Sequence, residues 1–159
     1  MHIGMKQVVR NVFIGIALVG VSAAANAQTE PVMGTWKLDV AKSTYKPGPA
    51  PKSSTVVVEP AGKGIKVAIE SVQADGSPLK WGFTSLRDGK TEAPVTGNPM
   101  FDTVTTTKES DAAGTNVYKK GGKVVMTSKL AVTAKTMTVT STGTDAKGQA
   151  VNNVAVYTK

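Results

Sequence analysis

The chain lacks cysteine and has a single histidine, His2. Without cysteine there is no disulfide, no thiolate nucleophile and no lipid attachment at a cleavage-site cysteine. His2 lies in a segment that we predict to be removed, so the remaining chain has no imidazole base and no soft metal ligand. Most hydrolase and zinc mechanisms are therefore excluded, and the fold must be stabilised by its hydrophobic core.

Other signals for catalysis are weak. Ser43 to Lys46 and Ser77 to Lys80 match the S-x-x-K spacing, but no S-D-N or K-T-G accompanies them. No two of the 11 Asp and Glu residues are spaced in a way that identifies a catalytic acid–base pair. The sequence also contains no EF-hand loop. We expect no enzymatic activity, no metal site and no cofactor.

Aromatic residues are also few, at 5% of the chain. Two of the 19 basic residues and none of the 11 acidic ones lie in residues 1–27, which leaves 17 against 11, or a net charge of +6. The lysines are scattered and Arg87 is the only arginine after residue 27. A nucleic-acid site needs clustered basic residues, so we interpret the charge as a solvated surface and predict no nucleic-acid partner.

The first 27 residues have the pattern of a secretory signal peptide. Lys6 and Arg10 form a basic region, residues 12–24 form an uncharged apolar run, and Ala25-Asn26-Ala27 provides small residues for cleavage before Gln28. The apolar run is shorter than the roughly 20 residues of a membrane-spanning helix. We predict a periplasmic or secreted product with no membrane span, in which residues 28–159 form a single domain.

Turn residues separate short β-rich runs along the rest of the chain. Ile65 to Glu70 alternates apolar with mostly polar residues, and Thr136 to Val139 is rich in β-branched ones. Short turns favour antiparallel pairing of successive strands. We predict an all-β fold, an antiparallel up-and-down meander of about 8–10 strands closed into a barrel. The proline-rich segment 41–53 should cross one end of it, either as a functional loop or as a plug.

Several motifs resemble those of a known family. Gly34-Thr35-Trp36, on the first predicted strand, resembles the lipocalin G-x-W signature. The strings GTWKLDVAKS, KPGPAPKS, DGK, PVTGNP and KGQAVNNVAVY resemble small exported bacterial lipocalin-like (calycin-type) β-barrel proteins of unknown function. The resemblance implies a barrel in which Gly34 and Trp36 belong to the closed end and Lys159, in place of the usual arginine, lies across Trp36. It implies a fold rather than an activity.

Candidate ligand-binding residues come from an alternation on one strand. Trp81, Phe83, Ser85 and Arg87 occupy every second position and therefore share a face. An inward face with a cation near the barrel mouth suits an amphipathic anion such as a fatty acid. In the alternative interpretation, Trp81 and Phe83 pack the core and Arg87 flanks an exposed turn with Asp88. Three further candidates lie on other predicted strands: Tyr118, Met126 and Met137.

Three classes of function stay open. The favoured one is an exported, non-catalytic barrel that binds a small hydrophobic or amphipathic ligand, including an anionic one. The second is a periplasmic envelope or surface interaction protein with a filled, ligand-free barrel, for which the sequence identifies no protein partner. The third is an enzyme of unrecognised type.

Overall fold

Ten strands joined mostly by tight turns make up residues 29–159, the part of the chain described by the structure, a computed structural model. In chain order they are Gly34–Leu38 (β1), Ser53–Ala61 (β2), Gly64–Val72 (β3), Pro78–Ser85 (β4), Asp88–Pro94 (β5), Thr103–Ser110 (β6), Ala113–Lys120 (β7), Lys123–Val132 (β8), Thr136–Thr144 (β9) and Ala150–Thr158 (β10). The one helix in these residues is a 3₁₀ turn, Val40–Lys42. The predicted all-β meander of about 8–10 strands is confirmed. The predicted signal peptide, residues 1–27, lies outside the described residues.

The sheet curls into a nearly closed barrel. All neighbouring pairs are antiparallel, and β1 pairs with both β2 and β10, so the first and last strands are neighbours. The strand order is β4-β3-β2-β1-β10-β9-β8-β7-β6-β5. Between the outermost strands β4 and β5 the described residues form no ladder, only a bridge in which Gly82 and Thr96 exchange two N–H···O bonds of 3.0 Å.

Because successive strands run in opposite directions, the connections between them lie alternately at the two ends of the barrel. The lower end contains residues 29–33, the turns 62–63, 86–87, 111–112 and 133–135, and Lys159. The upper end contains residues 39–52, 73–77, 95–102, 121–122 and 145–149. The proline-rich segment therefore lies at the upper end, where Thr44 bridges to Val154 on β10.

The hydrophobic core lies inside the barrel. Alternate residues of β2 and β3 are buried, among them Val56 and Val58 on β2 and Ile65 and Val67 on β3. Successive side chains of a strand point to opposite faces, and β-branched residues pack well on such a surface. The same alternation decides which side chains on the other strands face the interior.

Candidate functional site

The interior side chains leave a cavity of about 220 Å³ along the barrel. Val56 and Val58 on β2 and Ile65, Val67 and Ile69 on β3 form one apolar wall of it. Pockets for drug-sized ligands have volumes of roughly 300–1,000 Å³. The cavity is smaller, so it suits a compact molecule.

Six of the seven candidate ligand-binding residues line this cavity: Trp81, Phe83, Arg87, Tyr118, Met126 and Met137. Ser85 is not among the lining residues. It is 3% exposed, and its hydroxyl accepts a hydrogen bond of 3.2 Å from the backbone N–H of Arg87. The hydroxyl therefore contributes to the turn after β4 rather than to the cavity wall.

Four aromatic rings form a cluster on one side of the cavity. Trp81 lies 5.8 Å from Phe101 and 6.0 Å from Tyr118, measured between ring centroids, and Phe101 stacks on Tyr118 at 4.5 Å. Phe83 contacts Trp81 and Tyr118 at 6.4 and 6.3 Å. Tilted and offset ring pairs of this kind stabilise one another beyond simple burial. Phe101, on the connection before β6, belongs to this cluster although no alternation in the sequence marked it.

Arg87 lies at the lower end of the cavity and is bound to Glu30. The guanidinium donates two hydrogen bonds, of 2.7 and 3.0 Å, to the two carboxylate oxygens of Glu30. Lys108 donates to the same carboxylate at 2.9 Å and forms an ion pair with Asp111 at 2.7 Å. Two cations and two carboxylates thus form a neutral cluster, and the Arg87 side chain is only 13% exposed.

The ion pairs shift the pKa values of the cluster. Hydrogen bonds from Arg87 and then Lys108 lower the pKa of Glu30 to about 2, while Asp111 and Glu30 together raise the pKa of Lys108. Both shifts favour the charged forms. Arg87 is therefore neither free in the cavity nor solvated beside Asp88, because Glu30, a residue with no strand periodicity around it, accepts from both of its terminal nitrogens. Arg87 Nε is buried without a hydrogen-bond partner among residues 29–159.

A row of polar side chains also lines the cavity. Its members, called the polar row below, are Thr106, Asn116, Ser128, Ser141 and Asn153. Each is the direct register partner of the next, on the five successive strands β6 to β10. Residues paired in this way have Cα atoms about 4.5–5.5 Å apart, so the row is continuous.

The two halves of the polar row differ in hydrogen bonding. The Ser128 and Ser141 hydroxyls bond to each other at 2.7 Å, and Asn153 Oδ1 accepts from the backbone N–H of Lys46 at 3.0 Å. Asn116 Nδ2 donates to the Tyr118 hydroxyl at 3.3 Å. Asn116 Oδ1 and Thr106 Oγ1 are buried without a hydrogen-bond partner among residues 29–159. These two atoms are the free polar groups of the row.

The polar row was not predicted from the sequence, although a signal for it exists. Thr106 shares its strand face with the buried Val104, and Asn116 shares its face with the buried Tyr118. Polar residues at positions with the parity of buried neighbours are candidates for an interior site.

The three residues predicted to have structural roles meet at the lower end. Trp36 is 0% exposed, and its Nε1 donates to the Val32 carbonyl at 2.8 Å. The Lys159 ammonium lies 4.4 Å from the centroid of the Trp36 ring and donates to the Pro31 carbonyl at 2.9 Å. Gly34 has φ = 115°, and a Cβ atom there would lie 3.4 Å from Lys159 Cε. A side chain at this position would thus be strained as well as tightly packed.

Residues 29–159 contain no group of three or more His, Cys, Asp and Glu side chains placed to hold a metal ion. The same residues contain no helix with the length and hydrophobicity needed to cross a bilayer.

Comparisons with known proteins found similarity among solved structures. No protein-family model and no curated protein matches the sequence. A redesigned β-barrel, mFAP1, solved with DFHBI, is 13% identical with a TM-score of 0.46, over 81% of this chain and 95% of that one. Zebrafish ileal bile acid-binding protein, solved with cholic acid, is 11% identical with a TM-score of 0.44, over 81% of this chain and 98% of that one.

Proposed function

We propose that this protein is an exported, non-catalytic barrel that binds a small, largely apolar molecule in its cavity. The observation that supports binding is the cavity itself, about 220 Å³ in volume, with a wall of valines and isoleucines and a cluster of four aromatic rings. An apolar cavity of this size destabilises a fold by roughly a few kcal/mol relative to a filled core. A barrel filled by its own side chains would avoid this loss of stability, so the cavity favours a ligand-binding role.

The proposed site of action is the periplasm or the cell exterior, as in the bacterial lipocalin-like proteins that the sequence resembles. Support for export comes from the sequence alone: the basic residues Lys6 and Arg10, the apolar run 12–24, and Ala25-Asn26-Ala27.

The proposal includes amphipathic ligands, but an anionic group at the lower end would meet a competitor. Arg87 and Lys108 both line the cavity, and both already donate to Glu30. A ligand carboxylate there would have to displace Glu30 or remain without a full charge partner in a mostly apolar site. The cavity therefore favours ligands whose binding does not depend on Arg87.

The test of the proposal is a calorimetric titration with 1-methylnaphthalene, a compact hydrocarbon. We expect saturable binding of one molecule per chain, with a negative heat-capacity change because apolar surface is buried. Val139, on β9, lines the cavity, so Val139→Phe should fill part of it and weaken or abolish binding.

The matched control is Thr140→Phe, which adds a ring on the opposite face of the same strand. It should leave binding unchanged. If the unmodified protein binds neither this hydrocarbon nor its hydroxylated analogue 1-naphthol, or if the two variants bind equally well, the cavity is not a binding site, and a surface interaction protein becomes the better hypothesis.

A further inference from the structure

Thr106 and Asn116 carry hydrogen-bonding atoms that a purely apolar ligand would leave unpaired. They are 6% and 8% exposed, they are direct register partners on β6 and β7, and both line the cavity. Thr106 Oγ1 and Asn116 Oδ1 have no partner among the described residues. Buried polar atoms without partners destabilise a fold, so their presence at one point of a cavity wall indicates a group that hydrogen-bonds there.

We propose that Thr106 and Asn116 bind the hydroxyl group of an uncharged, otherwise apolar ligand. The inference rests on the proposed function of the cavity and identifies the class of ligand. A hydroxyl group is one donor and one acceptor, so it can donate to Asn116 Oδ1 and accept from the Thr106 hydroxyl. Since the two side chains lie directly opposite each other on neighbouring strands, a single ligand oxygen can reach both.

Charged ligand groups fit this point poorly. An ionised carboxylate only accepts hydrogen bonds, so it could use the Thr106 hydroxyl but would face the Asn116 Oδ1 acceptor. No Lys, Arg, Asp or Glu belongs to the polar row, so neither a carboxylate nor an ammonium group would find a charge partner within it. The two cations that line the cavity, Arg87 and Lys108, are paired at its lower end.

The aromatic cluster provides the surface for the apolar part of the ligand. Tyr118 follows Asn116 by two positions on the same face of β7, and its hydroxyl accepts from Asn116 Nδ2. This bond orients the Asn116 amide so that Oδ1 remains free. Tyr118 is thus next to the polar pair, and the rings of Trp81 and Phe101 pack against Tyr118, so these rings would contact a flat ring system attached to the hydroxyl.

Three probes with one ring system separate the possibilities: 1-naphthol, 1-methylnaphthalene and 1-naphthoate. Each is titrated into the full protein at neutral pH in a calorimeter. We expect 1-naphthol to bind roughly tenfold or more tightly than 1-methylnaphthalene, because it pairs two groups that the hydrocarbon leaves unpaired. We expect 1-naphthoate to bind more weakly than 1-naphthol.

Thr106→Val removes the hydroxyl and keeps the shape of the side chain. It should reduce the affinity for 1-naphthol by about tenfold and leave the affinity for 1-methylnaphthalene the same or higher. Asn116→Leu is the second variant and should act in the same direction. Thr105→Val, on the opposite face of the same strand, is the matched control and should change neither affinity.

The outcomes distinguish this inference from the proposed function. If 1-methylnaphthalene binds and 1-naphthol shows no preference that depends on Thr106, the cavity is a binding site but the inference is wrong. If 1-naphthoate binds most tightly, an anion site replaces the hydroxyl site. If none of the three probes binds, the proposed function fails and the inference fails with it.

Discussion

Trp36 and Lys159 lie against each other at the lower end of the barrel. Trp36 is completely buried, its polar N–H is paired with the Val32 carbonyl, and Lys159 covers its ring. A buried indole contributes a large apolar area, whereas an exposed cation over a ring contributes little. Trp36 and Lys159, which the lipocalin resemblance places together, should therefore contribute very different amounts to the free energy of unfolding.

Trp36→Ala should lower the free energy of unfolding by about 3–5 kcal/mol, because it leaves a large cavity and an unpaired carbonyl at Val32. The measurement is a urea titration of the purified protein. Lys159→Met is the comparison: it keeps an apolar stem over the ring and should lower the free energy of unfolding by about 1 kcal/mol or less. Equal losses in both variants would contradict this assignment.

Glu30 binds both Arg87 and Lys108, which are 57 and 78 positions away along the chain. Its pKa is lowered from 4.5 to about 2, chiefly by the hydrogen bond from Arg87. A carboxyl with a depressed pKa in the folded state stabilises the fold above its unfolded pKa and loses that contribution as the pH falls. The contribution of Glu30 should therefore be complete above about pH 4.5 and disappear as the pH approaches 2.

Glu30→Gln should lower the free energy of unfolding at pH 7 by up to about 3 kcal/mol. The loss should shrink steadily below about pH 4.5, where the unmodified protein loses the same interaction. Unfolding of both proteins is measured by urea titration between pH 2 and pH 7. Glu59→Gln, at an exposed position of β2, is the control. A loss that is independent of pH would mean that the Glu30 carboxylate charge is not what stabilises this end.

At the scale of elements, the strands differ in how well they are held. β9 is paired with β8 and β10 along most of its length, while in the described residues β4 and β5 share no ladder and their seam has a single bridge, Gly82–Thr96, just beyond the end of β5. In β5 a single residue, Ala93, is buried. Backbone hydrogen bonds that are exposed or missing allow local opening at low free energy. The seam between β4 and β5 should be the weakest part of the barrel wall.

Hydrogen exchange measured by NMR or mass spectrometry should show this order. Amides of β5 should exchange fastest among the strands, and amides of β9 should be protected nearly to the level of global unfolding. β6 is an internal control, because it is paired on both sides and adjoins β5 directly. Protection of β5 equal to that of β9 would show that the seam is closed more firmly than its hydrogen bonds indicate.

At the scale of the whole molecule, the chain after residue 27 has a net charge of +6 spread over a barrel with an apolar interior. A net charge of this size favours solubility and attraction to anionic surfaces. Which protein partner, if any, this basic surface could bind depends on the compartment in which the molecule is found. Export is therefore the prediction on which the biological setting depends.

Export should remove residues 1–27 by cleavage between Ala27 and Gln28. Mass spectrometry of the protein recovered from the periplasm or medium of its host should give the mass of residues 28–159. Replacing the small residue at the cleavage site, as in Ala27→Phe, should leave the precursor uncut, whereas Gln28→Glu beyond the site should be processed normally. An intact N-terminus on the unmodified protein would contradict the prediction.

The sequence determined the class and the path of the fold because both depend on short-range patterns. Alternation over a few residues decides which face of a strand is buried, and Gly, Asn and Asp turns decide that successive strands pair antiparallel. Because alternation is local, it also identified Trp81 and Phe83 as neighbours on one face. It could not identify the partner of Arg87, because Glu30 lies 57 residues away in a segment without periodicity.

Tertiary structure decided how the interior side chains are arranged and how much space they leave. Thr106 and Asn116 are ten positions apart, and only the register of β6 on β7 places them opposite each other. A shift of one residue would turn the side chains of one strand to the other face, so the polar row exists only in the observed register. Whether side chains fill a barrel depends on the sum of contacts from all ten strands, which no local pattern contains. The cavity and its free polar atoms are consequences of closure.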